Sequence, residues 1–172
     1  MLRRIFILVI FVQPLLGVWL TYEDAVQNSP FKTATIGRVE VVPGEDAFFF
    51  RGQEENNRSW YTVRIPELDT TRLLDGEVLK FQGKELDVSR LSLSGSGDKV
   101  LIQTDHDKIW RHSHWGTYYV YDLKYKQLSK VGRDNRRLRN VKLSPNGKFV
   151  AYVREDNNLY TFEIEKGRER KL

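Results

Sequence analysis

The chain has 172 residues, with 28 basic and 23 acidic side chains, and is 30% charged, 40% hydrophobic and 12% aromatic. That describes one globular domain or part of a larger one and excludes wholesale disorder, collagen-like and coiled-coil character. The net charge of +5 and the pI near 9.4 owe two positives to Arg3 and Arg4; without them the balance is +3, too weak to argue for nucleic acid. The lack of cysteine excludes a disulfide framework, a thiolate metal site and a cysteine nucleophile.

Met1 to Arg4 make a short basic start, and Ile5 to Leu20 follow as a mostly apolar run broken by Gln13 and Pro14. A membrane-spanning helix needs about 20 apolar residues, so residues 1–18 read as a secretory signal peptide, with an uncleaved membrane anchor as the alternative. In either case the expected location is exported: periplasmic, extracellular or membrane-anchored. Thr21, followed three residues later by Asp24, reads as a capping box that opens one short helix closed by Pro30.

From Val39 onward, short runs of Val, Phe, Tyr, Leu and Ile alternate with turn clusters, the pattern of an all-β chain of many short strands. YTVRI at Tyr61 to Ile65, YVYDL at Tyr119 to Leu123 and YTFEI at Tyr160 to Ile164 each lead through a polar turn into a second strand, so each reads as a hairpin. A second element precedes them. LSLSGSGDKVLIQT at Leu91 to Thr104 matches VKLSPNGKFVAYVR at Val141 to Arg154, with Ser94 over Ser144 and Gly97 over Gly147, and VEVVPGEDAFFFR from Val39 to Arg51 is a degraded third copy. The hairpin starts lie 58 and then 41 residues apart, a spacing typical of four-stranded propeller blades. A sandwich is the competing architecture; the repeat favours the propeller. Propellers close with about four to eight blades, so about three visible copies make residues 19–172 an incomplete β-propeller and the expected front end of a larger protein.

The segment Asp105 to Leu123 holds all three histidines, two of the four tryptophans, and Arg111 between Trp110 and His112. It reads as an inserted loop that accounts for the longer spacing. His112 and His114 would share a face if extended, with Asp105, His106 and Asp107 nearby. Trp110 and Trp115 crowd them and no third ligand is fixed by spacing, so hydrogen bonding within a blade is preferred and no metal or cofactor is expected. SLSGSGD is not a G-x-S-x-G elbow, because Leu93 and its neighbours leave no first glycine, and its match to SPNGK makes it a turn. The carboxylate pairs Glu54 with Glu55 and Asp105 with Asp107 read as solvated loops. GRDNRRLRN, Gly132 to Asn140, lacks interleaved aromatics and reads as an exposed connection, not a nucleic-acid surface. Asn57-Arg58-Ser59 fits the N-glycosylation pattern.

WRHSHWGTYYVYDLKYKQL, followed by LSPNGKFVAYVREDNNLY, resembles the N-terminal propeller of the dipeptidyl peptidase IV family, serine exopeptidases that remove dipeptides from peptide N-termini; LTYEDAV at Leu20 to Val26 is similar to the helix that opens the mature chain in that family. The resemblance implies a propeller capping an α/β-hydrolase domain, often in homodimers, with peptides as substrates. It implies that Arg111 points into the central cavity and holds the substrate's backbone carbonyl, with Trp110 and His112 supporting the site. A guanidinium suits that task because its fixed fork of donors holds an oxygen firmly. The family's paired glutamates, nucleophile elbow and hydrolase domain lie beyond Leu172, so no catalytic residue is expected within the chain. The alternative reading is a propeller-type interaction module without chemistry.

Overall fold

The repeated turns fix the register of the chain. At the turn beginning with Ser94, the backbone N–H of Ser94 donates to the carbonyl of Lys99 at 2.8 Å, and that of Gly97 to the carbonyl of Ser94 at 3.0 Å. The Ser94 hydroxyl accepts from the Lys99 amide at 3.1 Å. Ser144 repeats this set: its amide donates to Phe149 at 2.8 Å, Gly147 donates to it at 2.9 Å, and its hydroxyl accepts from the Phe149 amide at 2.9 Å. Both turns need the left-handed backbone that glycine supplies, with φ of 71° at Gly97 and 64° at Gly147. In the first copy Val42 replaces the serine and keeps both backbone bonds, its amide donating to Ala47 at 2.9 Å and its carbonyl accepting from Glu45 at 3.3 Å, without the hydroxyl bond.

A computed structural model describes residues 38–52, 58–111, 113–134 and 137–172. The proposed signal or anchor segment, the short helix, His112, the Glu54 and Glu55 pair and Asn57 lie outside the described residues. Among the described residues the chain is all-β and forms three four-stranded antiparallel meanders. The first is β1 (Val39–Val41), β2 (Ala47–Arg51), β3 (Trp60–Arg64) and β4 (Thr70–Leu74). A small hairpin, β5 (Lys80–Phe81) with β6 (Lys84–Glu85), follows one turn of 3-10 helix at Gly76–Val78. The second meander is β7 (Arg90–Leu93), β8 (Lys99–Trp110), β9 (Ser113–Asp122) and β10 (Gln127–Lys130). The third is β11 (Arg139–Leu143), β12 (Phe149–Val153), β13 (Leu159–Glu163) and β14 (Arg168–Lys171). Equivalent backbone bonds close all three: Ile65 to Asp46 at 2.8 Å, Leu123 to Asp98 at 2.9 Å and Ile164 to Lys148 at 3.0 Å.

Successive residues of a strand face opposite sides of its sheet, and the second sheet uses both. Val100, Ile102, Tyr119 and Tyr121 pack with Phe49, Trp60 and Leu74 of the first sheet. Leu101, Tyr118 and Val120, one residue out of phase, pack with Val141, Val150, Tyr152 and Phe162 of the third. The near-continuous apolar runs VLI and YYVY are what two-sided burial requires. Turns meet as well as faces. Ser96 donates its amide to the carbonyl of Pro145 at 2.8 Å, and a Cβ on Gly95 would stand 2.9 Å from that oxygen.

The long repeat spacing is shared between two places, not confined to Asp105 to Leu123. Part of it is the connection from Asp75 to Ser89, whose Leu79 and Val88 are buried in the core between the first two sheets, with Phe81 and Leu86 packed against them. The other part is added strand length in β8 and β9, where the sequence suggested a loop.

Ionic contacts pin the turns. Lys99, largely enclosed, donates to Asp122 at 2.6 Å, and Asp122 also accepts from the amides of Lys124 and Tyr125 at 2.9 and 2.8 Å. Burial penalises the charged form of Asp122, but these donors outweigh it and hold its carboxyl below the usual range. Asp98 is lowered too, chiefly by the Ser96 hydroxyl. On the third sheet Arg154 donates to both oxygens of Glu169, at 2.5 and 2.6 Å, and the Tyr152 hydroxyl donates to the same carboxylate.

Asp122→Ala leaves the enclosed Lys99 ammonium with only the longer contact to Asp98, at 3.6 Å, and urea melts are expected to lose about 1–3 kcal/mol. Because the folded Asp122 and Asp98 carboxyls titrate below their unfolded values, their stabilisation is complete above the unfolded value of about 4 and is lost as the pH falls below it. Tm is therefore expected to drop below about pH 4, and to drop less steeply in Asp122→Asn.

Candidate functional site

β7 pairs with β8 only through Arg90 to Leu93 opposite Gln103 to Val100, and β10 with β9 only through Gln127 to Lys130 opposite Asp122 to Tyr119. The outer part of the β8–β9 hairpin is therefore a two-stranded arm that outruns its own sheet. Its pairing breaks after Thr104 opposite Thr117 and resumes with Asp107 opposite Trp115, Lys108 opposite His114 and Trp110 opposite Ser113. Asp105 takes up the break with a φ of 50°, the extra residue and added twist of a β-bulge. The rings of His106 and His114 lie across the arm with centroids 4.0 Å apart, and His106 Nδ1 is 3.2 Å from Gln103 Nε2.

A lone two-stranded ribbon is marginal in water, and this one is braced by the connection into the third sheet. Gly116 and Leu138 exchange backbone hydrogen bonds of 3.0 and 2.9 Å, and Leu138 is buried in the core between the second and third sheets. On the other side of Gly116 a Cβ would stand 2.9 Å from the Thr104 carbonyl oxygen and 3.0 Å from Gln103 Nε2, so only glycine fits between the two strands. Arg139 lays its guanidinium over Trp115 at 5.2 Å and donates to Asn157 in the third sheet's turn. Arg137 pairs with Asp107 on the arm itself. The run read as an exposed interblade connection is thus one anchor of the arm. A glycine inside a strand pattern signals close backbone approach, and Gly116 was the available sign of it.

Trp110 and Arg111 stand at the tip. Trp110 is 77% exposed, and Arg111 is exposed in the turn between β8 and β9. Among the described residues Arg111 has no hydrogen bond or ion pair. Asp107, the acid nearest in sequence, is engaged by Arg137. Of the residues read from the sequence as one group, the arm brings the rings of His106 and His114 together and carries Trp110 and Arg111 at its tip, while Asp107 pairs with Arg137 of the brace.

Antiparallel four-stranded meanders packed face to face are the blades of a β-propeller architecture. The family model of the Dipeptidyl peptidase IV (DPP IV) N-terminal region matches residues 94–172. Dipeptidyl aminopeptidase B of Saccharomyces cerevisiae is 34% identical over 52% of this chain and 10% of its own length. Human prolyl endopeptidase FAP is 33% identical over 52% of this chain and 13% of its own. In fold, the crystal structure of Porphyromonas gingivalis dipeptidyl peptidase 4 matches 86% of this chain and 21% of that one, with a TM-score of 0.70 at 20% identity. Residues 94–172 thus match the N-terminal region of the dipeptidyl peptidase IV family, and the chain spans about a tenth of the length of the curated relatives it matches.

Gly116→Val is expected to force the arm off its brace. Overpacking of this kind costs about 1–3 kcal/mol, and hydrogen exchange at the amides of Leu138, Lys108 and Trp115 should quicken more than at Val150. Equal acceleration at all four would mean that the arm is held by its own sheet alone.

Proposed function

We propose that the chain is the N-terminal propeller portion of an exported serine dipeptidyl peptidase, with residues 1–18 as its export signal or anchor and residues 19–172 as part of the propeller. A C-terminal α/β-hydrolase domain supplies the nucleophile and base, and peptides are the substrates. Within this portion Arg111 anchors the substrate. Its guanidinium donates to the backbone carbonyl near the cleaved bond, and Trp110 and His112 flank it.

The observation that carries this reading is an exposed guanidinium at the tip of a braced arm, without an ion-pair partner among the described residues. A structural arginine is normally neutralised or stacked, and Arg51, Arg139 and Arg154 each lie over an aromatic ring. A guanidinium held on a fixed ribbon and left unspent keeps its donors for a ligand. The braced arm fixes the backbone position from which those donors reach the carbonyl.

In the dipeptidyl peptidase that carries these residues, Arg111→Ala is expected to lower kcat/KM at least tenfold with Tm unchanged. A charge-assisted hydrogen bond is worth about 1.5–3 kcal/mol, and each 1.36 kcal/mol corresponds to about a factor of ten in rate. Arg111→Lys should recover little, because an ammonium does not reproduce the fork. Unchanged kcat/KM with a lowered Tm would remove Arg111 from the site and leave it as a brace.

A further inference from the structure

The first strand of each meander is an edge strand, and the edges of β7 and β11 bound a cleft of about 340 Å³ between the second and third sheets. Its floor follows from register. Arg90 pairs with Gln103 across β7 and β8, and Gln103 with Tyr118 across β8 and β9, so guanidinium, amide and phenol lie in one row on one face. Opposed side chains in such a row stand about 5 Å apart. Gln103 and Tyr118 are buried, and burial raises the Tyr118 hydroxyl to about 12 although Arg90 opposes the rise. At neutral pH every member of the row therefore carries a hydrogen-bond donor.

The neighbouring cleft, between the first and second sheets, measures about 270 Å³ and is lined by Arg38, Arg51 and Arg90. Glu40 is the one acid lining either cleft. It lies 2.8 Å from Arg38 Nε and 3.7 Å from Arg90 Nε, reaching Arg90 from the first sheet. Two guanidiniums, those of Arg38 and Arg90, thus share one carboxylate, while Arg51 lines the same cleft with its guanidinium over Trp60. Glu40 reveals the chemistry the place accepts: a planar carboxylate within reach of a guanidinium fork.

We propose that Arg90, with Gln103 and Tyr118 beside it, forms a seat for the carboxylate of a peptide, from an acidic side chain or from the C-terminus. This goes beyond the role assigned to Arg111 and does not rest on it. The incoming carboxylate competes with Glu40 for Arg90. Leu93 and Leu143 on the cleft walls give the rest of the peptide an apolar contact.

Calorimetry on the full chain at low salt tests the seat with three peptides: acetyl-Ala-Glu-amide, acetyl-Ala-Ala with a free carboxylate, and neutral acetyl-Ala-Gln-amide. Binding by either of the first two, at least tenfold tighter than by the third, supports the proposal and identifies which carboxylate is taken. Arg90→Gln should weaken that binding at least tenfold, and Glu40→Gln, which removes the internal competitor, should strengthen it. Equal binding of the neutral peptide, equal binding of inorganic phosphate, or an unaltered affinity in Arg90→Gln would overturn it. Should Arg90→Gln fail to fold, Glu40→Gln decides alone: an affinity that does not rise refutes the seat. The readout is binding, not cleavage, so its outcome is independent of the kinetics of Arg111.

Discussion

Burial of the second sheet on both faces is the constraint from which the rest of the structure follows. Alternate residues of β8 and β9 enter different cores, Val100 and Ile102 one way, Leu101 and Val120 the other. A shift of one residue in either strand would exchange those two sets and place each against the wrong partner sheet. The Ser94 and Ser144 turns and the Lys99 to Asp122 contact hold the register that this double packing needs. The outer face of the third sheet shows what a single-sided sheet looks like: Phe149 and Leu159 there are 42% and 45% exposed.

The arm is a consequence of the same register carried further. β8 and β9 continue past the ends of β7 and β10, so their outer residues lose lateral neighbours in their own sheet and take the brace at Gly116 and Leu138 instead. Leu138 is anchored in the second core, which ties the position of Trp110 and Arg111 to the packing between the second and third sheets. The polar row Arg90, Gln103 and Tyr118 sits on that same face, at the inner end of the apolar set. One sheet thus positions an arm at one end and a donor-rich cleft beside its first strand.

Much of the fold was legible because its signals are local. The S-P-N-G and S-G-S-G turns, the YTVRI, YVYDL and YTFEI starts and the period-two alternation each act within about ten residues, and all three meanders lie where those signals placed them. The resemblance to dipeptidyl peptidases rested on W-R-H-S and the downstream Y-D-L, and the family comparison covers both. What escaped the sequence is non-local. Leu79 and Val88 fill a gap between two sheets, and nothing in GEVLKFQGKELDV announces that gap. The histidine- and tryptophan-rich stretch read as a loop because a bulge at Asp105 interrupts its alternation. The brace depends on a pairing between Gly116 and Leu138, and the Arg90 row on register across three strands, neither of which has a motif.

Native-state hydrogen exchange on Ile102→Ala tests the two-sided packing most directly. Ile102 is fully buried against the first sheet, and its truncation removes about 2–5 kcal/mol of stability. If the second sheet is the shared partner of both cores, the amides of Phe49 in the first sheet and Tyr152 in the third accelerate together, by comparable factors. Acceleration at Phe49 with Tyr152 left at its original rate would mean that the sheets are independent units and would contradict the account.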